Sequence, residues 1–195
     1  MKRLWFLALL LIPACGPAKK VPQVSNDPVS VRGWIVDLEG AAESGNFRTV
    51  ETEAARKMRL YQSTYVEVEN APYVSGGVAE TTGAFLLLDV PPGNVTITFT
   101  VPGAATSKLV MQGIPGNADV YLPALLLKKD GVAFTEPEKV QVRVAASISK
   151  PRPTGAVAVI NGLKVPVMAT PIGQLTERHD YPTPPTIAVP ITRVK

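Results

Sequence analysis

The sequence predicts an all-β chain folded as a sandwich, because short alternating runs follow one another between closely spaced turn residues. The 195 residues include 19 prolines and 15 glycines, which favour many short elements over long helices. Between residues 78 and 127 the chain offers five strand candidates, each bounded by glycine or proline: Val78–Thr81, Phe85–Val90, Val95–Val101, Lys108–Met111 and Val120–Leu127. This spacing is typical of a β-sandwich.

The strands before residue 78 follow the same period of two. Val29, Val31 and Ile35 alternate with polar or outward positions, which predicts a first strand with one buried face. The next strand is predicted over Tyr61–Glu69. The segment Thr49–Leu60 between them is poor in strand formers and carries Glu53 and Lys57 at i,i+4 spacing, so we expect at most one short helix there.

The C-terminal third, residues 129–195, is predicted to add a small β unit. Asn161-Gly162 joins two apolar runs, Ala156–Ile160 and Leu163–Met168, and both central residues of a type I′ turn need positive φ. This is a strong hairpin signal. Pro166 predicts an edge position for the second strand. A unit with so few strands is marginal alone, so we expect it to pack on the first sandwich or on a partner.

The N-terminus has the pattern of a bacterial export signal. Lys2 and Arg3 precede the apolar run Leu4–Ile12, and Leu11 to Cys15 resembles the lipobox of bacterial lipoproteins. We therefore expect a leader over residues 1–14, acyl chains on Cys15 and a Pro-containing tether over residues 15–28. An ordinary secreted protein or an uncleaved anchor are the alternatives. Gly16 in place of aspartate favours the outer membrane under the known sorting rule.

Residues 29–128 resemble the carboxypeptidase regulatory-like domain. The match rests on Val31-x-Gly33-x-Ile35-x-Asp37, on Gly83-x-Phe85, and on Pro91-Pro92-Gly93 between two alternating strands. The resemblance implies a Greek-key β-sandwich of the prealbumin-like class and a non-catalytic accessory, adhesive or scaffolding role. Thr81-Thr82 stand where the family has an Asp-rich turn, so no calcium site is expected.

Composition excludes several kinds of chemistry. One histidine and one cysteine leave too few ligands and bases for a zinc site or a catalytic triad, and His179 lies in a polar loop. We expect no enzyme activity, no metal and no cofactor. Removing Lys2 and Arg3 with the leader lowers the net charge from +4 to +2, which is no nucleic-acid footprint.

The charges are unevenly distributed along the chain. From residue 27 to residue 100 five bases face ten acids, a balance of −5, while from residue 101 to the end eleven bases face six acids, a balance of +5. This asymmetry indicates either surfaces that are complementary to one another, within or between chains, or simply uneven solvated charge.

Three aromatic residues are the candidate site. If Val31 and Ile35 point inward, Trp34 points outward, and the predicted second strand places Tyr61 and Tyr65 opposite its buried valines. These residues either form a ligand platform or dock the inserted segment or the C-terminal unit. We therefore expect a lipid-anchored module of the cell envelope that binds a protein partner or acts as a scaffold. The alternative is recognition of carbohydrate or peptidoglycan by an exposed aromatic face.

Overall fold

A computed structural model describes residues 26–37, 53–101, 106–129 and 131–175. The leader, Cys15, most of the tether, His179 and the last twenty residues lie outside these ranges. The described residues form eleven strands: β1 (Val29–Asp37), β2 (Tyr65–Val68), β3 (Ala71–Gly77), β4 (Ala84–Val90), β5 (Gly93–Thr100), β6 (Ser107–Ile114), β7 (Ala118–Lys128), β8 (Gly131–Phe134), β9 (Gln141–Ala146), β10 (Arg152–Ile160) and β11 (Leu163–Pro171). The prediction of an all-β class is confirmed.

The helices of the described residues are short and few. Helix α1 (Glu53–Ser63) lies between β1 and β2, where a helix is predicted. The described residues also contain a 3₁₀ turn, Pro137–Lys139, and a second helix, α2 (Ile172–Leu175). The expectation of at most one short helix was therefore wrong by a single four-residue helix at the end of β11.

All eleven strands belong to one hydrogen-bonded sheet. Its order is β3-β2-β5-β6-β10-β11-β9-β7-β1-β4, and β8 pairs with β7 beside this path. The two end strands, β3 and β4, also lie side by side. A Cβ atom on Gly76 of β3 would lie only 3.5 Å from the Leu86 carbonyl oxygen of β4. The sheet is therefore nearly closed on itself, with an inner and an outer face.

The strands after residue 128 lie within this sheet. β10 pairs with β6, β11 lies between β10 and β9, and β9 pairs with β7. The predicted hairpin is confirmed, since Asn161 and Gly162 have φ of 49° and 83° between β10 and β11. The edge position predicted for Pro166 was wrong. Pairing of β11 with β9 begins only at Val167, so the missing N–H of Pro166 interrupts no bond on that side.

A single apolar core fills the inner face. One row of cross-strand neighbours runs through Leu87, Val31, Val120, Val142 and Val167, all of them buried. A second row joins Val68, Ile97 and Leu109. The rings of Phe85 and Phe99 meet edge to face at 5.3 Å. Strands from both ends of the described chain share this core, so the C-terminal strands are stabilised by the same apolar burial as the first ones.

Gly33 is required for the close packing of this core. A Cβ atom on Gly33 of β1 would lie 2.9 Å from both the Leu122 carbonyl oxygen and the Phe85 ring. No larger residue fits between these neighbours without moving backbone. The glycine in the Val-x-Gly-x-Ile pattern of β1 therefore allows the close approach of β1 to its neighbours.

Helix α1 is anchored by Tyr61. The helix continues to Ser63, so Tyr61 belongs to the helix and not to the predicted strand Tyr61–Glu69. Just beyond the helix, Thr64 Oγ1 donates to the Leu60 carbonyl at 2.6 Å. The buried Tyr61 hydroxyl donates to the Ile35 carbonyl oxygen at 2.6 Å. Burial, with a smaller contribution from the Asp37 charge, raises the pKa of Tyr61 to about 12. The bond between the hydroxyl and the end of β1 thus persists well above neutral pH.

Candidate interaction surface

An ionic network lies on the outer face of β1, β7 and β9. Asp119 of β7 is the direct neighbour of Ser30 on β1 and Arg143 on β9. Its carboxylate accepts hydrogen bonds from Arg32, from Ser30 Oγ at 3.1 Å and from Arg143 Nη2 at 2.8 Å. The side chains of Asp119 and Arg143 are largely buried. Removing one partner would leave the other charge buried and unpaired, which is costly. The network therefore favours the register of β1, β7 and β9 that brings these side chains together.

Trp34 packs beside this network. Its ring contacts Tyr121 edge to face, with 5.3 Å between ring centroids, and it is only 3 % exposed. Burial raises the pKa of Tyr121, while nearby Lys139 opposes that effect. Trp34 therefore contributes packing on the outer face of β1 and β7, and its face is not open to a ligand in this structure.

The three predicted aromatic residues do not form one surface. Trp34 lies on the outer face, whereas Tyr61 belongs to the inner core through helix α1. Of the three, Tyr65 alone is exposed, on β2. Leu60 of helix α1 packs against the same inner core, so the described part of the inserted segment docks there and not on Trp34.

A different apolar surface is exposed on the outer face of β2, β3 and β4. Leu86 and Leu88 of β4 are 54 % and 58 % exposed, while the intervening Leu87 is buried. Tyr65 on β2 and Tyr73 on β3 are exposed as well. Tyr65 is paired with Gly77 of β3, and Gly76 brings β3 against Leu86. The four exposed side chains therefore lie on three strands that are neighbours in the sheet.

This surface is acidic. The three strands carry Glu67 and Asp89 and contain no lysine or arginine. We call the surface formed by Tyr65, Glu67, Tyr73, Leu86, Leu88 and Asp89 the acidic patch. Arg32 of β1 is paired with Leu86 at its border, but the Arg32 guanidinium is bound to Asp119. The acidic patch thus combines exposed apolar side chains with negative charge.

A concavity adjoins the acidic patch. It has a volume of about 340 Å³, and its lining includes Trp34, Arg32, Gly77, Ala84 and Leu86. Small residues on β3 and β4 leave this space above the buried tryptophan.

The remaining acidic residues of this region and the other sequence candidates are placed as follows. Glu67 lies on β2, and Glu69 just after it accepts a 2.8 Å bond from Lys108, an exposed ion pair. Cys15 and His179 lie outside the described residues. Within the described ranges, no group of three or more His, Cys, Asp or Glu side chains is placed to hold a metal ion. No helix among these residues is both long and apolar enough to span a bilayer.

Comparison with known proteins adds no relative. No family model matches the sequence, and neither a curated protein nor a solved structure matches the chain.

Sequence reasoning missed the acidic patch and the ionic network, although alternation indicates the outward position of some residues in each. In the run Phe85–Leu88, strict alternation with Phe85 and Leu87 inside places Leu86 and Leu88 outside. Arg32 is likewise out of phase with Val31 and Ile35. The pairing of Arg32 with Asp119, 87 residues away, has no signal in a single sequence.

The burial of Trp34 predicts a large loss of stability on truncation. We expect Trp34→Ala to lower the free energy of unfolding by roughly 3–5 kcal/mol, measured by urea denaturation. The matched change at the exposed aromatic, Tyr65→Ala, is expected to cost about 1 kcal/mol or less. In a chain that also carries Trp5→Phe, the Trp34 emission should be blue-shifted and protected from acrylamide. Free quenching in the folded protein would contradict this account of Trp34.

Proposed function

We propose that the chain is a lipid-anchored, non-catalytic β module of the cell envelope that binds a protein partner. Three sequence features support the anchor: the charged start, the apolar run and the placement of Cys15 after Leu11 to Ala14. Two or more acyl chains on Cys15 would hold the protein on the outer membrane without any membrane-spanning element.

The fold proposed for residues 29–128 is the prealbumin-like Greek-key sandwich of carboxypeptidase regulatory-like domains. It is supported by the Pro91-Pro92-Gly93 turn, after which β5 begins at Gly93 with φ of 98°. Antiparallel pairing of β1 with β4, and of β5 with both β2 and β6, is compatible with such a sandwich flattened around the shared core. Members of that family act as accessory or scaffolding modules, which agrees with a binding role.

The acidic patch is the observation that carries the proposal of protein binding. Exposed apolar side chains on neighbouring strands are typical of a surface that a protein partner covers. The neighbouring concavity and the acidic side chains add shape and charge specificity to an apolar contact. The ionic network of Asp119 holds β1, next to β4, in a fixed register and so presents the patch on a rigid support.

Glycan recognition is the second candidate function of this module. Trp34 and Tyr61 are buried, so a sugar platform would have to use Tyr65 and Tyr73. Under that reading, the chain is retained on isolated peptidoglycan sacculi, and Tyr65→Ala with Tyr73→Ala releases it while Leu88→Arg does not.

Anchoring is tested at Cys15. We expect Cys15→Ala to abolish incorporation of labelled fatty acid and to move the protein from the membrane fraction to a soluble or uncleaved form, because the thiol is the acylated atom. Cell fractionation and labelling of the full-length chain measure this. Unchanged labelling of the variant would contradict the anchor, and Ser25→Ala in the tether serves as the control.

Partner binding is tested by photo-crosslinking in living cells. A photoreactive amino acid at position 88, in the acidic patch, is expected to give a discrete protein adduct, because a partner covers Leu88. The matched control is position 172, since Ile172 is 63 % exposed but lies on α2, outside the patch. Equal adduct patterns at both positions, or none at position 88 together with retention on sacculi, would contradict protein binding.

A further inference from the structure

We propose that the protein partner of the acidic patch presents a basic segment, in which a lysine or arginine lies two or three residues from an aliphatic side chain. The inference rests on the proposed protein-binding function and names the chemistry of the partner. The exposed apolar side chains of the patch provide the contact, and its carboxylates determine which segments are accepted.

The carboxylates of the acidic patch are free to bind a cation. The described strands carry four acidic residues, and two of these interact within the protein. Asp119 is bound by two arginines, and the charge of Asp37 acts on the Tyr61 hydroxyl. Glu67 and Asp89 take part in no ion pair and no side-chain hydrogen bond among the described residues. The unpaired carboxylates of the described strands therefore all lie in the acidic patch.

Basic side chains on nearby strands are already paired. Arg32 on β1, next to β4, is bound to Asp119. Lys108 on β6 is separated from Glu67 only by β5, but its Nζ atom lies 2.8 Å from Glu69 Oε1. Neither base forms an ion pair with the acidic patch, so the patch is left to a cation that a partner supplies.

A β-bulge places Asp89 beside Leu88 on the outer face. The register of β4 against β1 shifts between Val29 and Val31, where β4 contains one residue more than β1. Leu88 and Asp89 are both exposed, whereas strict alternation would turn one of them inward. Asp89 adopts the left-handed conformation, with φ of 60°. The bulge therefore presents an acid directly next to an exposed leucine.

The concavity beside Leu86 determines where the aliphatic side chain of the partner lies. Its lining includes Gly77, Ala84 and Leu86, which are small or apolar. A leucine or valine side chain fits such a depression, which is the usual setting of an energetically important interface residue. Asp89 follows Leu86 by three residues, which is roughly 10 Å along a strand. A basic side chain two or three residues from the aliphatic one therefore reaches Asp89.

The net charge of the chain would not attract a basic segment. The whole chain carries a formal net charge of +4, so a basic segment is repelled by the molecule as a whole. Binding of such a segment depends instead on the charges within about 10 Å of it, which is the screening length at moderate salt. A basic probe is therefore a selective test of the acidic patch.

The experiment uses the full-length chain in non-ionic detergent and two fluorescently labelled synthetic peptides. In the first peptide, lysines flank a central leucine at alternate positions, and in the second peptide glutamates replace these lysines. We expect the chain to bind the lysine peptide at least about tenfold more tightly than the glutamate peptide at low salt, measured by fluorescence anisotropy. High salt should remove most of this difference.

The variants Asp89→Asn and Glu138→Gln form a matched pair. Asparagine tolerates the left-handed conformation at position 89 and removes the charge, so the fold is preserved. We expect Asp89→Asn to weaken binding of the lysine peptide about fivefold, and Asp89→Gly to do the same. Glu138 is exposed on the 3₁₀ turn, outside the patch, and forms no ion pair among the described residues. Glu138→Gln should therefore bind the peptide like the wild type.

Two outcomes would overturn the basic partner: equal affinity for the two peptides, or an unchanged affinity of Asp89→Asn for the lysine peptide. The adduct formed in cells at position 88 distinguishes this failure from failure of the proposed function. Mass spectrometry should map the crosslink to a partner segment with a lysine or arginine within about three residues. A crosslink to a segment without a basic residue would show that a protein of other chemistry binds, so the basic partner fails while protein binding stands.

Discussion

The rest of the structure depends on one constraint, which is that every long strand must bury the same alternating set of side chains in a single interior. One row of side chains crosses five strands, and all five of its members are buried: Leu87, Val31, Val120, Val142 and Val167. A shift of any strand by one residue would turn this set outward and bring charges such as Arg32 and Arg143 inward. Apolar burial and the outer ionic network therefore select the same register.

Local signals predicted much of this arrangement. The Asn161-Gly162 turn, the Pro91-Pro92-Gly93 turn and the period of two along β1 each depend on neighbouring residues only, and each was read correctly. The place of the C-terminal strands between β6 and β7 depends on pairing between distant segments, which a single sequence does not encode in any local pattern. The predicted edge position of Pro166 was wrong because it, too, depends on the pairing of β11 with a distant strand, β9.

The aromatic residues show what the alternation pattern does not predict. Trp34 was correctly placed opposite Val31 and Ile35, but alternation states only which face a residue occupies, not whether that face is covered. The strand predicted over Tyr61–Glu69 begins only at Tyr65, because helix α1 continues through Tyr61 to Ser63. The outward positions of Leu86 and Leu88 were available from the alternation of Phe85–Leu88 alone.

The central claim is that the described chain is one folding unit, in which β9, β10 and β11 share the core of β1 and β7. Native-state hydrogen exchange tests this most directly, since it measures the opening free energy of each strand. We expect the slowest amides of Val142, Val165 and Val167 to exchange with the same global free energy as those of Val31 and Val120. Exchange of the C-terminal strands at a distinctly lower free energy, while β1 and β7 stay protected, would contradict a shared core.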